Sequence, residues 1–305
     1  MRIGLLHFTL GGKITSRLLP KDIKMLRDEV KNLGYIPKII REDKCQIYFP
    51  RRNPKILYAG KPLPKMDVVI PRVSVLSNVA LRTTILQQLE MLDVPLLQRY
   101  KSVIRSKNKL RTLQLLTNKN IPVPRTIVVQ RFEYLDTAIK KVGGFPIIIK
   151  TPFGSMGKGV AIVESKRSLH SAFDMLLTSR EFSSLLIQEY VEEAEGKDLR
   201  VFVLDGKVLA SMERTANADD FRSNLVLGGV GKSVKLTKDE IEIALYASKV
   251  LKLHFAGVDL LRSKYGPVVM EVNCNPGLEG ITETTGVNVA QEIVKYAASF
   301  AQSKN

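Results

Sequence analysis

Two hydrophobic rhythms follow one another along the 305-residue chain, and their order limits the folds open to it. Over the first hundred residues, apolar runs alternate with stretches of helical spacing. Residues 1–8 read as a strand, 21–33 as a helix stopping at Gly34, and 67–71 (DVVIP) as a short buried strand. Residues 76–92 then read as a helix and 94–97 as another strand. This alternation predicts a small parallel-sheet βα domain, since parallel neighbours need a crossover between them.

The pattern then changes. A Lys/Arg-rich helix is expected over 102–118, broken by Ile121-Pro122-Val123-Pro124. Strands over 125–129 and 145–150 flank a helix over 132–142, followed by a strand at 160–163, a helix at 165–177 and a strand at 184–190. Asp205-Gly206 between the apolar runs 199–204 and 207–212 is a strong hairpin signal. Residues 219–233 are polar and glycine-rich and read as a long loop. Thr237 with Glu240 has the spacing of a capping box opening a helix to Leu251. Strands at 255–262 and 267–272 and a helix at 289–300 complete the chain.

Composition narrows the function. No apolar run reaches the roughly 18 residues of a membrane span. The opening MRIGLLHFTLGG lacks a small-residue cleavage site and reads as a strand rather than a secretory signal. Cys45 and Cys274 are far apart, and only three histidines are present, which argues against a zinc cluster and fits a reduced, cytoplasmic protein. The net charge of +17 is uneven: residues 1–150 carry 29 Lys+Arg against 10 Asp+Glu, and residues 151–305 carry 18 against 20. The basic half is either a positive face for an acidic partner, such as nucleic acid, a ribosome or an acidic peptide, or simply a solvated surface.

Asp259, Glu271 and Asn273 are the clearest candidates for chemistry. Glu271 and Asn273, two apart on a strand, share one face, and Asp259 lies on the strand joined to it through residues 263–266. Three hard oxygen donors meeting at one end of a hairpin suit a magnesium ion on nucleotide phosphates. Lys150 ends a strand just before the loop Gly154-Ser155-Met156-Gly157-Lys158-Gly159, which can close over phosphates through its N–H groups. The ending of Gly228–Ser233 imitates a P-loop, but the first required glycine is Val226 and no helix is expected at Lys232, so that reading is rejected. Gln188-Glu189-Tyr190-Val191 ends a strand whose backbone could hold an adenine edge. Asp198 and Arg200 share a strand face, and on pattern alone they could equally be a surface ion pair. Arg222, Ser223 and Asn224 lie in the polar loop, where a cation can stabilise a developing acyl-phosphate or orient a carboxylate.

Together these pieces resemble the ATP-grasp superfamily and within it the RimK-type α-L-glutamate ligases. The resemblance runs from VIPR (69–72) onward and is carried by KNKLRTLQLL (107–116), IQEYVEEAEGKDLR (187–200), DFRSN (220–224), AGVDLL (256–261) and MEVNCNPGLEGITETTG (270–286). It implies an N-terminal βα domain (1–100) followed by a two-lobed ATP-grasp fold (101–190 and 191–305), an α/β and α+β architecture. It implies that Lys109 and Lys150 contact ATP phosphates under the loop of Gly157, Lys158 and Gly159. Glu189, Tyr190 and Val191 would hold the adenine, and Asp198 would lie near the ribose. Asp259, Glu271 and Asn273 would bind two magnesium or manganese ions, while Arg200, Arg222 and Asn224 face the substrate carboxylate and transferred phosphoryl group, and Arg222, Ser223 and Asn224 also border the nucleotide. The implied reaction adds L-glutamate to an acceptor carboxylate through an acyl-phosphate. The PGLEG…TTG stretch (276–286) resembles the branch that modifies the C-terminal tail of a small-subunit ribosomal protein, with a coenzyme or other small acceptor as the alternative. A homo-oligomer is also implied. A third reading, from another class, is a ribosome- or RNA-binding protein without turnover; the intact Lys150, Asp259, Glu271 and Asn273 argue against it.

Overall fold

The computed structural model describes residues 1–8, 19–75, 78–152, 159–178, 184–217, 223, 225 and 228–304. The N-terminal sheet is parallel, in the order Ile36–Arg41, Arg2–His7, Val68–Arg72. The Lys21–Asn32 helix makes the crossover and buries Ile23, Leu26 and Val30. The expected strand at 94–97 is reduced to one parallel bridge, Val69 with Leu96. The helix expected over 76–92 is divided at Thr83 into Val79–Arg82 and Thr84–Met91, and residues 76 and 77 lie outside the described residues. Residues 45–62, which the pattern left unread, form a small antiparallel sheet of Cys45–Tyr48, Lys55–Tyr58 and Lys61–Pro62.

The basic helix expected over 102–118 is two helices, Tyr100–Lys107 and Lys109–Thr117. Asn108 between them is extended, and its side chain accepts from the Arg111 N–H at 3.1 Å. An Asn bonding its own downstream backbone competes with helix continuation, so it caps the second helix rather than prolonging the first.

A four-stranded antiparallel sheet follows, ordered Thr126–Val129, Leu185–Glu189, Ile147–Lys150, Val160–Val163. Its odd-numbered residues Ile147, Ile149, Leu185 and Ile187 form their own core with Leu135, Ile139, Leu169 and Phe173 of the covering helices. Its other face carries Lys150 and Gln188. The third sheet has five antiparallel strands: Val230–Ser233, Lys207–Thr215, Lys197–Leu204, Phe255–Ser263 and Gly266–Asn273. Its edge strand Val230–Ser233 falls in the segment expected to be loop, and a strand there agrees with rejecting a P-loop. The expected hairpin at Asp205-Gly206 and the Thr237 capping box are both present.

The first and third sheets share their cores. Leu6, Val69 and Leu86 cluster with Val201, Val258, Val272 and Ala247, while Ile3, Leu5, Val68 and Ile70 cluster with Phe202, Phe255 and the Val289–Gln302 helix. Gln98, almost fully buried, adds a polar tie by donating to the carbonyls of Phe255 (2.6 Å) and Cys274 (3.2 Å). The first hundred residues are thereby welded to the C-terminal sheet, and the four-stranded sheet stands on a separate core. Among the described residues no helix is long and apolar enough to cross a membrane.

The capping box gives a direct check. Thr237 Oγ1 accepts from the Glu240 N–H at 3.2 Å, and Glu240 Oε2 accepts from the Thr237 N–H at 2.9 Å. Thr237→Ala is expected to cost about 1 kcal/mol in urea unfolding, and an unchanged midpoint would contradict this role.

Candidate active site

The centre of the site is a row of charged side chains across one face of the five-stranded sheet. In the hairpin of Lys197–Leu204 and Lys207–Thr215, Asp198 stands opposite Arg214; across the next pair Arg200 stands opposite Asp259, and Asp259 opposite Glu271. Residues opposite one another in antiparallel strands share a face, so all five side chains project together. Two irregularities of register bring this about. Leu209 and Met270 are each an extra residue in one strand of their hairpins, with the shifts falling at Phe202/Val203 and Asp259/Leu260. Without those bulges Arg214 and Glu271 would point to the opposite face.

The contacts are those of forked ion pairs. Arg214 holds Asp198 through two bonds of 2.7 and 2.6 Å. Arg200 holds Asp259 through Nε and through Nη2, the latter at 2.8 Å, and Arg214 Nη2 reaches Asp259 Oδ2 at 3.0 Å. Asp198, Arg200, Arg214 and Asp259 are all buried. The pair is therefore no surface feature: Asp198 and Arg200 share a face, as their spacing requires, but each bonds a partner on a neighbouring strand. Burial pushes the Asp259 carboxyl up, and Arg200 and Arg214 outweigh it, holding the group below the ordinary carboxylate value. Burial opposes charge on Arg214, yet Asp259 and Asp198 hold its pKa above the usual one.

Beyond Asp259 the row opens. Glu271 is half-buried and has no hydrogen-bond or salt-bridge partner among the described residues. Asn273 Oδ1 accepts from the Asn275 N–H at 2.9 Å. The arginines donate three N–H bonds to Asp259, leaving of its four lone-pair positions one on Oδ1. Two carboxylates and an amide oxygen are hard donors that fit a magnesium ion. No three His, Cys, Asp or Glu groups converge among the described residues, so a cation here depends on the amide as well.

Lys150 faces this row from the other lobe. Its Nζ donates to Gln188 Oε1 at 2.6 Å, and Gln188 Nε2 donates to Thr126 Oγ1 at 2.7 Å. Burial pushes the lysine down to about 8; Glu271 opposes the fall, Lys109 adds to it, and Asp259 opposes it. Lys150, Lys109, Glu271 and Asp259 thus act on one another through space, although they come from two sheets and a helix. Lys109 opens its helix and its N–H donates to Pro152 O at 3.1 Å. Gly159, with φ +73°, lies against Thr151 Oγ1 where a Cβ would clash, so the loop exit requires glycine.

At the end of the Leu185–Glu189 strand, the Glu189 carboxylate is taken by Arg125, through the Arg125 N–H at 2.8 Å and its Nε. Its own N–H donates to Arg125 O at 2.9 Å, and Val191 O accepts from the Ala194 N–H at 3.1 Å. Tyr190 is half-buried beside them. Ser223 is buried, with its carbonyl against Gly229. Gly157, Lys158, Arg222 and Asn224 lie outside the described residues. Arg214 is the residue that sequence reasoning missed, because counting back from the Asp205-Gly206 turn without a bulge places it on the wrong face.

An N-terminal parallel sheet, a small antiparallel sheet carrying a buried lysine and a large antiparallel sheet carrying the acid row together make an ATP-grasp architecture. The chain belongs to the RimK-like ATP-grasp family: residues 106–297 match the RimK-like ATP-grasp domain and residues 19–103 the RimK PreATP-grasp domain. A probable alpha-L-glutamate ligase of Vibrio atlanticus is 41% identical over 269 residues, 88% of each chain. A probable alpha-L-glutamate ligase 1 of Shewanella frigidimarina is 40% identical over 278 residues, 91% of each. Among solved structures, the ATP-grasp ligase PsnB complexed with a phosphomimetic variant of its minimal precursor, Mg and ADP superposes with a TM-score of 0.72 over 98% of both chains at 16% identity. The chain is thus an ATP-grasp ligase by family.

Two outcomes follow from the geometry. A Cβ on Gly257 would lie 2.8 Å from Pro276 Cβ and 3.2 Å from Arg200 Cδ. Gly257→Ala is expected to cost about 1–3 kcal/mol of stability and to displace Arg200 from Asp259; unchanged unfolding and turnover would contradict the packing. Lys150, at about 8 when folded against 10.5 as a free side chain, loses its proton in the folded state first. Stability should therefore rise relative to Lys150→Met as pH climbs from about 8 towards 10.5. Urea titrations of both proteins across that window test the sign, and a difference independent of pH would contradict the burial.

Proposed function

We propose that this protein adds L-glutamate to an acceptor carboxylate at the expense of ATP, through an acyl-phosphate. The observation that carries the reading is the field shared by Lys150 on one lobe and the Asp259–Glu271 row on the other. A nucleotide triphosphate between them would meet cations on one side and metal-binding oxygens on the other. On this reading residues 1–100, 101–190 and 191–305 act as pre-domain, small lobe and large lobe.

The acceptor carboxylate oxygen attacks the γ-phosphorus, the bond to the β-phosphate oxygen breaks, and ADP leaves. The unprotonated glutamate amine then attacks the acyl carbon, the amide forms, and phosphate departs with one acceptor oxygen. Asp259, Glu271 and Asn273 would hold two magnesium ions, which would neutralise phosphate charge and polarise the transferred group. Lys150 and Lys109 would bind phosphate oxygens, and the negative charge there would restore the proton that burial weakens on Lys150. Gly157, Lys158 and Gly159 would cover the phosphates, Glu189, Tyr190 and Val191 would border the adenine, and Asp198 would lie towards the ribose through Arg214. Arg200, Arg222 and Asn224 would orient the carboxylate and the phosphoryl group, and Ser223 would border the nucleotide with Arg222 and Asn224. The contribution of these groups is positioning and charge neutralisation, so no protein nucleophile is required.

The acceptor we propose is the C-terminal tail of a small-subunit ribosomal protein. The excess of cations in residues 1–150 supports an acidic or ribosome-borne substrate. Phosphate release with ATP, magnesium and glutamate, across a ribosomal-protein tail peptide, a coenzyme precursor and free glutamate, tests this when each acceptor is weighed by mass spectrometry. Glutamyl units on the peptide support the proposal; gain on the coenzyme alone moves the activity to a small acceptor. Glu271→Ala is expected to abolish turnover with the fold intact by circular dichroism, and wild-type activity in it would sink the metal assignment.

A further inference from the structure

At the carboxyl end of the N-terminal sheet, His7, Arg72 and Asn275 carry buried polar atoms that have no hydrogen-bond partner among the described residues. His7 ends the central strand and Arg72 ends its neighbour; they are register partners, and their side chains share the face packed on the Lys21–Asn32 helix. Arg72 is 2% exposed. Its Nη2 donates to Asp22 and to Pro276 O at 2.6 Å, while Nε and Nη1 have no acceptor among the described residues. Neither ring nitrogen of buried His7 has a partner among the described residues. Asn275 donates from Nδ2 to Ser74 Oγ at 3.1 Å and leaves Oδ1 unmatched.

An unmet buried donor costs about 1–3 kcal/mol, more when charged, and native proteins keep few of them. Here they gather at one place. The strand order puts the first strand between the second and the last, so the chain reverses direction across the sheet between His7 and Arg72. Ligands of open parallel sheets bind at such a switch point, outside the carboxyl ends of the strands. The place also adjoins the acid row: Asn275 bonds Asn273, and Pro276 packs where Gly257 and Arg200 meet. A guanidinium with unmatched N–H groups on two nitrogens calls for a carboxylate, the group that glutamate and a carboxylate acceptor both carry.

We propose that Arg72, flanked by His7 and Asn275, binds a non-reacting carboxylate of the glutamate or of the acceptor. The identity of that ligand rests on the ligase reading; the chemistry of the pocket does not.

Calorimetric titration of L-glutamate and of L-glutamyl-L-glutamate into the protein with a non-hydrolysable ATP analogue tests this and separates the donor from the acceptor. One of the two is expected to bind, roughly tenfold or more weaker in Arg72→Gln and in Arg72→Lys, with the affinity for the nucleotide analogue unchanged. Replacing glutamate by glutamine or isoglutamine identifies the carboxylate. Equal affinity in wild type and variants overturns the pocket, as does failure of both probes to bind the wild type. Turnover with unchanged binding in Arg72→Gln would sink the pocket and leave the ligase reading standing. Binding through Arg72 with no amide formed on any acceptor would do the reverse. If the variants do not fold, wild-type crystals grown with the probes decide: a carboxylate on Arg72 Nε or Nη1 supports the pocket, and ordered water alone overturns it.

Discussion

The buried quartet of Asp198, Arg214, Arg200 and Asp259 is the interaction on which the active-site end of the large sheet depends. Two carboxylates and two guanidinium groups are removed from water there, at a desolvation cost of several kcal/mol per ion. That cost is offset only because every acid is forked by an arginine and the formal charges cancel. Such a network is unforgiving, since deleting one member leaves an uncompensated charge worth about 3–5 kcal/mol. It is also rigid, because each side chain is fixed by two or three bonds. Rigidity has a use here: the outer members, Glu271 and Asn273, inherit a fixed position from the strand that Asp259 anchors.

The cores explain how a fixed row can serve a reaction that must enclose a nucleotide. Residues from the first and third sheets are mixed in two clusters, and Gln98 stitches them, so these parts form one body. The four-stranded sheet has its own cluster. A lobe with an independent core can shift as a unit without opening another one, and Lys150 travels with it. Its depressed pKa is that of an ammonium held in a buried place at a cost, which phosphate would offset on the proposed reading.

Much of this was legible in the residues. The strands at 1–8 and 67–71 with the helix between them, the Asp-Gly hairpin, the Thr237 capping box and the spacing of Glu271 and Asn273 are local signals, and each led to the right element, whereas the strand read at 94–97 is only a bridge. What could not be read depends on pairing at a distance. Whether Asp259 faces Glu271 or the opposite surface is decided by one extra residue, Met270, and Arg214 reaches Asp198 only because Leu209 is extra in the same way. Burial was equally hidden: Asp198 and Arg200 look like a surface pair until strands on both sides cover them. Ile36–Arg41, with its proline and two basic residues, lacked a strand's alternation and was missed, being an edge strand where such residues are tolerated. Arg72 was visible only as the end of a short apolar run, with no sign that its guanidinium would be buried with donors to spare.

The central claim is that an acceptor carboxylate is phosphorylated at this site before an amine attacks it. Isotope tracing tests that step directly. With the acceptor carboxylate labelled in oxygen-18 and the reaction run to completion with ATP and glutamate, one labelled oxygen is expected in the released phosphate. Phosphate carrying no label, with the amide still formed, would mean that the carboxylate never bonded to phosphorus and would contradict the account.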